Sequence, residues 1–201
     1  MKTLLRVTAP MALALALGGC SLGSMLGGGG KAPAWLLTLT PEAPAPATIA
    51  RAAAAGETVT INVPIIAKEL RTTRVPVQVS PTAVQYVENL NWVDTPDRLF
   101  KDLLAETVRR TTNRVVLDGK QSALDPGVLV TGQLNRFGFD DASQSVIVQY
   151  DAARSTGGGA QVDQRRFEAS VPAAGDAASV GAALNRAANQ VALETAAWIG
   201  G

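Results

Sequence analysis

The residue with the clearest chemistry is Cys20, because Leu17-Gly18-Gly19-Cys20 has the form of a lipobox. Small residues ahead of the cysteine let an extended chain enter a narrow peptidase cleft. The thiol is a nucleophile that can accept a diacylglycerol group, and cleavage then leaves Cys20 as the first residue. Lys2 and Arg6 supply a short basic start, and Val7–Leu17 a mainly apolar stretch interrupted by Pro10. Eleven helical residues at roughly 1.5 Å each cover about half of a hydrocarbon core, too little for a stable span. Residues 1–19 therefore read as an export signal that is removed. Cys20 is the only cysteine of the chain, so an intramolecular disulfide is impossible. Two or more acyl chains would hold the mature protein on its membrane, where one chain is marginal. Ser21 stands where an aspartate would resemble an inner-membrane retention signal, so the expected location is the outer membrane, facing the periplasm.

Other chemistries find little support. The chain has no histidine, which removes Ser-His-Asp and Cys-His catalysis and the commonest zinc ligand. Gly27-Gly28-Gly29-Gly30-Lys31 looks at first like a phosphate loop. Ala32 occupies the position of the required hydroxyl, Met25 that of the leading glycine, and no strand precedes it, so a linker fits better. Asp140 and Asp141 are neighbours in a turn and point apart, which suits neither paired-carboxylate catalysis nor calcium. Arg109, Arg110 and Arg114, and likewise Arg165 and Arg166, could meet headgroup phosphates, but interspersed acids favour a solvated face. Without residues 1–19 and their two basic side chains, 182 residues remain with 16 basic and 17 acidic groups, a balance that does not suggest nucleic-acid binding. No catalytic, cofactor-binding or metal-binding residue is expected, and an enzyme is not. A carboxylate-only hydrolase would need a cleft lined with aromatics, of which the chain holds only three Trp, two Tyr and four Phe.

Around Cys20 the elements follow from pattern. Residues 20–34 are rich in glycine and serine and read as a tether; 35–201 hold the folded domain. Trp35-Leu36-Leu37-Thr38-Leu39-Thr40 is expected as a first strand. Thr58–Val63 alternates with period two and Pro64 ends it. Val75–Val79 and Ala83–Glu88 read as further extended stretches. Thr95-Pro96-Asp97 opens a helix to about Thr112, with the threonine oxygen as cap and Phe100, Leu104, Thr107 and Val108 in its apolar stripe. Gly127–Phe137, Ser145–Ala153 and Gln161–Val171, separated by turn residues, predict an antiparallel meander. A last helix begins near Asp176 or Ser179. The expected fold is α+β: a mixed, largely antiparallel sheet packed against two helices, one domain behind a flexible lipidated tether.

This order of parts resembles the ABC-type transport auxiliary lipoproteins, which include the lipoprotein subunit of paraquat-inducible-type intermembrane transport systems. The resemblance covers nearly all of the mature chain. Its landmarks are the lipobox, Trp35-Leu36-Leu37-Thr38-Leu39, the strand from Val59 to Ile65, Tyr86-Val87-Glu88-Asn89-Leu90-Asn91-Trp92-Val93-Asp94-Thr95-Pro96-Asp97-Arg98-Leu99, the meander around Gly132–Phe137, and the alanine-rich terminal helix. The most specific is the strand, then tryptophan, then a helix opened near proline.

The resemblance implies a periplasm-facing accessory to a transporter made of an ATPase, a permease and a substrate-binding protein of the mammalian-cell-entry type, moving phospholipids or other hydrophobic molecules. This chain would supply an anchor and a docking surface and hydrolyse nothing itself. The alternative is an outer-membrane lipoprotein that binds or assembles another envelope complex. Trp92 is a candidate partner contact, since tryptophan is frequent at interface hot spots; its place before the helix start favours stapling that helix to the core instead. Edge strands would also permit a homo-oligomer.

Overall fold

The computed structural model describes residues 35–200, apart from 47, 49, 50, 122, 124 and 126. The signal stretch 1–19, Cys20 and the tether lie outside the described residues. In chain order the elements are β1 (Val59–Ile61), β2 (Ile65–Ile66), β3 (Arg74–Ser80), β4 (Ala83–Asn91), α1 (Pro96–Thr111), β5 (Val116–Leu117), β6 (Val128–Asp140), β7 (Ser145–Thr156), β8 (Gln161–Pro172) and α2 (Ala177–Gly200).

The sheet is organised around β6. One edge pairs antiparallel with β7 from Leu129↔Ser155 to Asp140↔Ser145, and β7 pairs in turn with β8. This is the expected meander. The other edge of β6 takes three short strands end to end, all parallel: β1 at Val59↔Val128, β2 at Ile65↔Gln133 and β3 at Val77↔Phe139. Pro64 and Pro76 lack the N–H that a continuous ladder needs. The stretch therefore meets β6 in pieces, with a 3₁₀ turn at Lys68–Leu70 between the second and third. β5 flanks β1 and β4 flanks β3.

A bulge in β6 between Leu134 and Arg136 changes which parity faces the helices. Val128, Val130 and Leu134 are buried before it, Phe137 and Phe139 after it. Facing them across β7 are Val146, Val148, Tyr150 and Ala152, and from β8 Phe167 and Ala169. Phe100 of α1 packs its ring 5.0 Å from Tyr150 and 6.3 Å from Phe137, whose other side meets Trp92 at 5.5 Å. Burial pushes the Tyr150 phenol pKa up, so it stays a neutral donor, bonded to the Thr131 carbonyl at 3.3 Å.

The long helix α2 buries small residues, Gly181, Ala183, Ala187, Ala188, Ala192 and Ala196, along with Val180, Leu184, Val191 and Ile199. Small side chains let its backbone approach closely. A Cβ on Gly181 would stand 3.3 Å from a methyl of Leu37. Asp176 caps the helix, its Oδ1 accepting from the N–H groups of Ala178 and Ser179 at 3.0 and 2.9 Å. At the other end Arg154 of β7 donates to the Trp198 carbonyl at 2.6 Å, with its guanidinium 4.8 Å from that indole. A cation thus sits on the negative end of the helix dipole.

Two local expectations are corrected. Thr95 makes no side-chain cap to α1; its backbone carbonyl accepts from Arg98 and Leu99, and its own N–H goes to the Asp94 carboxylate at 2.7 Å. The segment Trp35–Thr40 is no strand of the sheet: it makes one parallel bridge, Leu37↔Trp92. Beyond that bridge, side-chain amides of α2 replace a neighbouring strand. Asn185 accepts from Thr40 N–H, and Asn189 accepts from Glu42 N–H and donates to the Thr40 carbonyl, all at 2.8–2.9 Å. Arg110 of α1 completes the strap with 2.8 Å to the Ala43 carbonyl.

Gly132 of β6 lies beneath the Tyr150 ring, and a Cβ there would come within 2.5 Å of the Asp151 carbonyl and 2.6 Å of Tyr150. Gly132→Ala should therefore destabilise the domain by about 1–3 kcal/mol through overpacking. Urea unfolding of the two proteins reads this directly, and an unchanged midpoint would contradict the packing described here.

Candidate docking site

With both helices on one side of the sheet, residues of opposite parity form a second face. Pairing sets them in rows. Ile65, Gln133, Asp151 and Arg166 lie side by side across β2, β6, β7 and β8. The next rows are Thr131, Ala153 and Gln164, then Leu129, Ser155 and Val162. Beyond the bulge come Arg136, Gln149 and Glu168.

The rows differ in chemistry. Asp151 receives two bonds from Arg166, at 2.6 and 2.7 Å, and one from Asn135 at 2.8 Å, while Gln149 donates to Glu168. These polar groups are satisfied across strands. Apolar side chains stand free at the margins of the face: Val162 on β8 is 60% exposed, and Ile65 and Val63 on the far side of β6 are 67% and 50% exposed. Between Asn62–Ile65 on one wall and Gln164–Arg166 on the other runs an open groove of about 800 Å³, floored by Thr131–Gln133 and Asp151–Ala153. A groove open along its length and lined by Val63, Ile65, amides and one guanidinium pair suits binding of an extended partner. It brings no nucleophile and base together.

The other candidates from the sequence are employed locally. Trp92 is 1% exposed, its ring against Phe137 and its indole N–H without a hydrogen-bond partner among the described residues. The exposed side chains near it are those of Val93, Leu36 and Trp35. Arg109 and Arg110 both pair with Glu106, and Arg114 reaches the Glu57 carbonyl. Arg165 lies over Phe167 at 5.4 Å. Asp140 pairs with Arg136 and Ser143, whereas Asp141 accepts from Gln144, so the two carboxylates serve different neighbours. Among the described residues no group of three or more His, Cys, Asp or Glu could hold a metal ion.

Sequence reading missed the groove wall at Val63 and Ile65 and the pairing of Asp151 with Arg166. The second was within reach, because a turn at Gly157–Ala160 fixes the β7–β8 register and brings those two residues opposite. The first depends on β2 docking beside β6, a contact between segments far apart in sequence.

Hydrogen bonds from Arg166 hold the Asp151 carboxyl below its ordinary pKa of 3.8. A depressed carboxylate pKa contributes stability that is present above the unfolded value and is lost as pH falls through the folded one. Both groups are more than a third exposed, so solvent screens the pair. Arg166→Met should be slightly less stable than wild type at neutral pH, and the gap should close in acid, below the Asp151 folded-state pKa. A gap that persisted unchanged into strong acid would assign the loss to packing instead.

A comparison with family models matches residues 37–196 to the ABC-type transport auxiliary lipoprotein component. Among solved structures, the chain is similar to protein XCC0632 from Xanthomonas campestris, of the DUF330 family, with a TM-score of 0.65 at 19% identity over 84% of this chain and 92% of that one. An uncharacterized protein gives a TM-score of 0.62 at 13% identity, covering 82% of this chain and 99% of that one. At these identities the two likenesses speak for the fold alone. Curated protein sequences yield no match. The family model takes in every strand from β1 to β8, all of α1 and α2 as far as Ala196, and the chain belongs to the ABC-type transport auxiliary lipoprotein family.

Proposed function

We propose that this chain is the periplasm-facing lipoprotein subunit of an intermembrane transport system, tethered to the outer membrane through acylated Cys20. In this reading residues 1–19 are removed, 20–34 form the tether and 35–201 the docking domain. The observation that carries it is the family match over residues 37–196 directly behind a lipobox. Ser21, where an aspartate would resemble a retention signal, favours the outer membrane.

The partner is a substrate-binding protein of the mammalian-cell-entry type, and the cargo is phospholipid or another hydrophobic molecule. Energy comes from the ATPase of the transporter, and this chain acts without catalysis, as anchor and docking component. The open sheet face and its groove are the surface it offers, since the opposite face is occupied by α1 and α2. Among the described residues β8 pairs only with β7, so its outer edge is a strand edge to which a second copy of the chain could add a strand.

Cys20→Ala should leave the protein unacylated and shift it from the membrane to the soluble fraction, or leave it uncleaved, with the domain still folded. Membrane retention of a cleaved, unacylated form of that variant would refute the anchor. A mild-detergent pull-down of the native protein should recover a mammalian-cell-entry-type protein together with an acylated N-terminal peptide. Recovery of cell-wall or outer-membrane assembly proteins in its place would keep the lipoprotein and discard the transporter.

A further inference from the structure

The first described residues leave the domain at a defined place. Leu37 donates to the Asn91 carbonyl at 2.7 Å and accepts from Val93 at 2.9 Å, which pins the start of the chain beside the end of β4. Leu37 and Trp92 turn inward, Leu37 against Gly181 and Trp92 against Phe137. The alternation of an extended backbone turns Leu36 and Val93, their neighbours, outward, and these are 50% and 54% exposed. Trp35, the first described residue, is 48% exposed. Three large apolar side chains thus stand in water where the chain emerges.

Basic groups lie alongside. Trp92 donates to the Thr73 carbonyl at 2.7 Å, which brings the Arg71–Arg74 stretch to the same end. Arg71, Thr95, Asp97, Arg98 and the exposed Ile65 share one shallow groove. Arg98 is offset by Asp94 at 3.8 Å, whereas Arg71 has no ion-pair partner among the described residues. Tryptophan and aliphatic side chains edged by arginine match the chemistry of a membrane interface, apolar below and anionic at the headgroups.

We infer that this end of the domain, Trp35, Leu36 and Val93 with Arg71 beside them, rests on the lipid surface that carries the anchor. The inference rests on acylation of Cys20. Fifteen positions separate Cys20 from Trp35. A Gly/Ser-rich chain of that length spans about 20 Å on average and about 50 Å fully extended, so the point of emergence is the part of the domain held nearest the bilayer. Short tethering raises the effective concentration of lipid at the patch, and three exposed apolar side chains that bind weakly on their own then suffice. The turn at 157–160 carries exposed Ala160 and lies beyond the Leu129↔Ser155 pair, at the opposite end of β6 from Phe137 and Trp92, which makes it a control position.

The test uses the acylated, mature protein in vesicles of phosphatidylethanolamine and phosphatidylglycerol. Acylation consumes the Cys20 thiol, so Val93→Cys or Ala160→Cys provides the only site for an environment-sensitive dye. The dye at position 93 should brighten severalfold on vesicles and be quenched by nitroxide-labelled lipid, while at 160 it stays unchanged. Leu36→Cys repeats the measurement should Val93→Cys fold poorly. Protein that floats with the vesicles while position 93 or 36 stays unquenched overturns the orientation and leaves the anchor standing. Protein that carries no acyl group overturns the anchor and the orientation together. Shielding of position 93 that requires a transporter protein and not lipid assigns the patch to a protein partner and overturns the inference.

Discussion

Everything in this domain depends on satisfying both edges of one long strand. β6 is thirteen residues long, and any of its backbone N–H or C=O groups buried without a partner would cost about 1–3 kcal/mol. β7 meets that demand on one side with a continuous antiparallel ladder. The other side cannot be met the same way, because the available chain between Val59 and Ser80 contains Pro64 and Pro76. Three parallel contacts with gaps between them are what such a chain can offer. The breaks along this edge of β6 follow from those prolines.

The helices answer a second demand, an apolar sheet face built on large and small residues together. Tyr150 lies over Gly132, Phe100 fills the space between Tyr150 and Phe137, and the alanines of α2 let that helix pack closely. A close helix leaves its outer side without neighbours, and the strap from Leu37 to Ala43 covers part of it through Asn185, Asn189 and Arg110. Asn189 is buried and engages acceptor and donor at once, so it holds the strap in one register.

Local signals were legible and long-range ones were not. The two helices, the meander and the Asp176 cap are written in runs of residues close in sequence, and they stand where patterning places them. The strand expected at Trp35–Thr40 illustrates the limit. Its apolar alternation is real, since Leu37 and Leu39 do pack on the core. What receives its backbone is a pair of asparagines about 150 residues later, and nothing in an alanine-rich helix announces that use. β2 and β5, two residues each, are too short to carry a period at all. Thr95 stands at the cap position without capping: its side chain makes no bond to the helix, and its own N–H goes to the Asp94 carboxylate. Trp92 shows how residue type alone misleads. Tryptophan suits interfaces and cores equally, and its neighbours Leu37 and Phe137, not its identity, put it inside.

In the proposed function the lipid and protein contacts would use different parts of the domain, with Ile65 lining both grooves. The chain enters beside Trp92, where Leu36 and Val93 face outward, and the open sheet face lies on the side the helices leave uncovered. A lipid contact at the first and a protein contact at the second can then be held at once, because the same β6 positions both: its helix-facing residues seat Trp92 through Phe137, and its outward residues floor the groove. The bulge at Leu134–Arg136 sits between these two roles. By reversing parity there, it lets one strand carry Leu134 and Phe137 into a common core while Gln133 and Arg136 both remain on the open face. A regular strand through the same residues would turn Phe137 to water or Leu134 out of the core, and with either change the seat of Trp92 and the floor of the groove could not both exist.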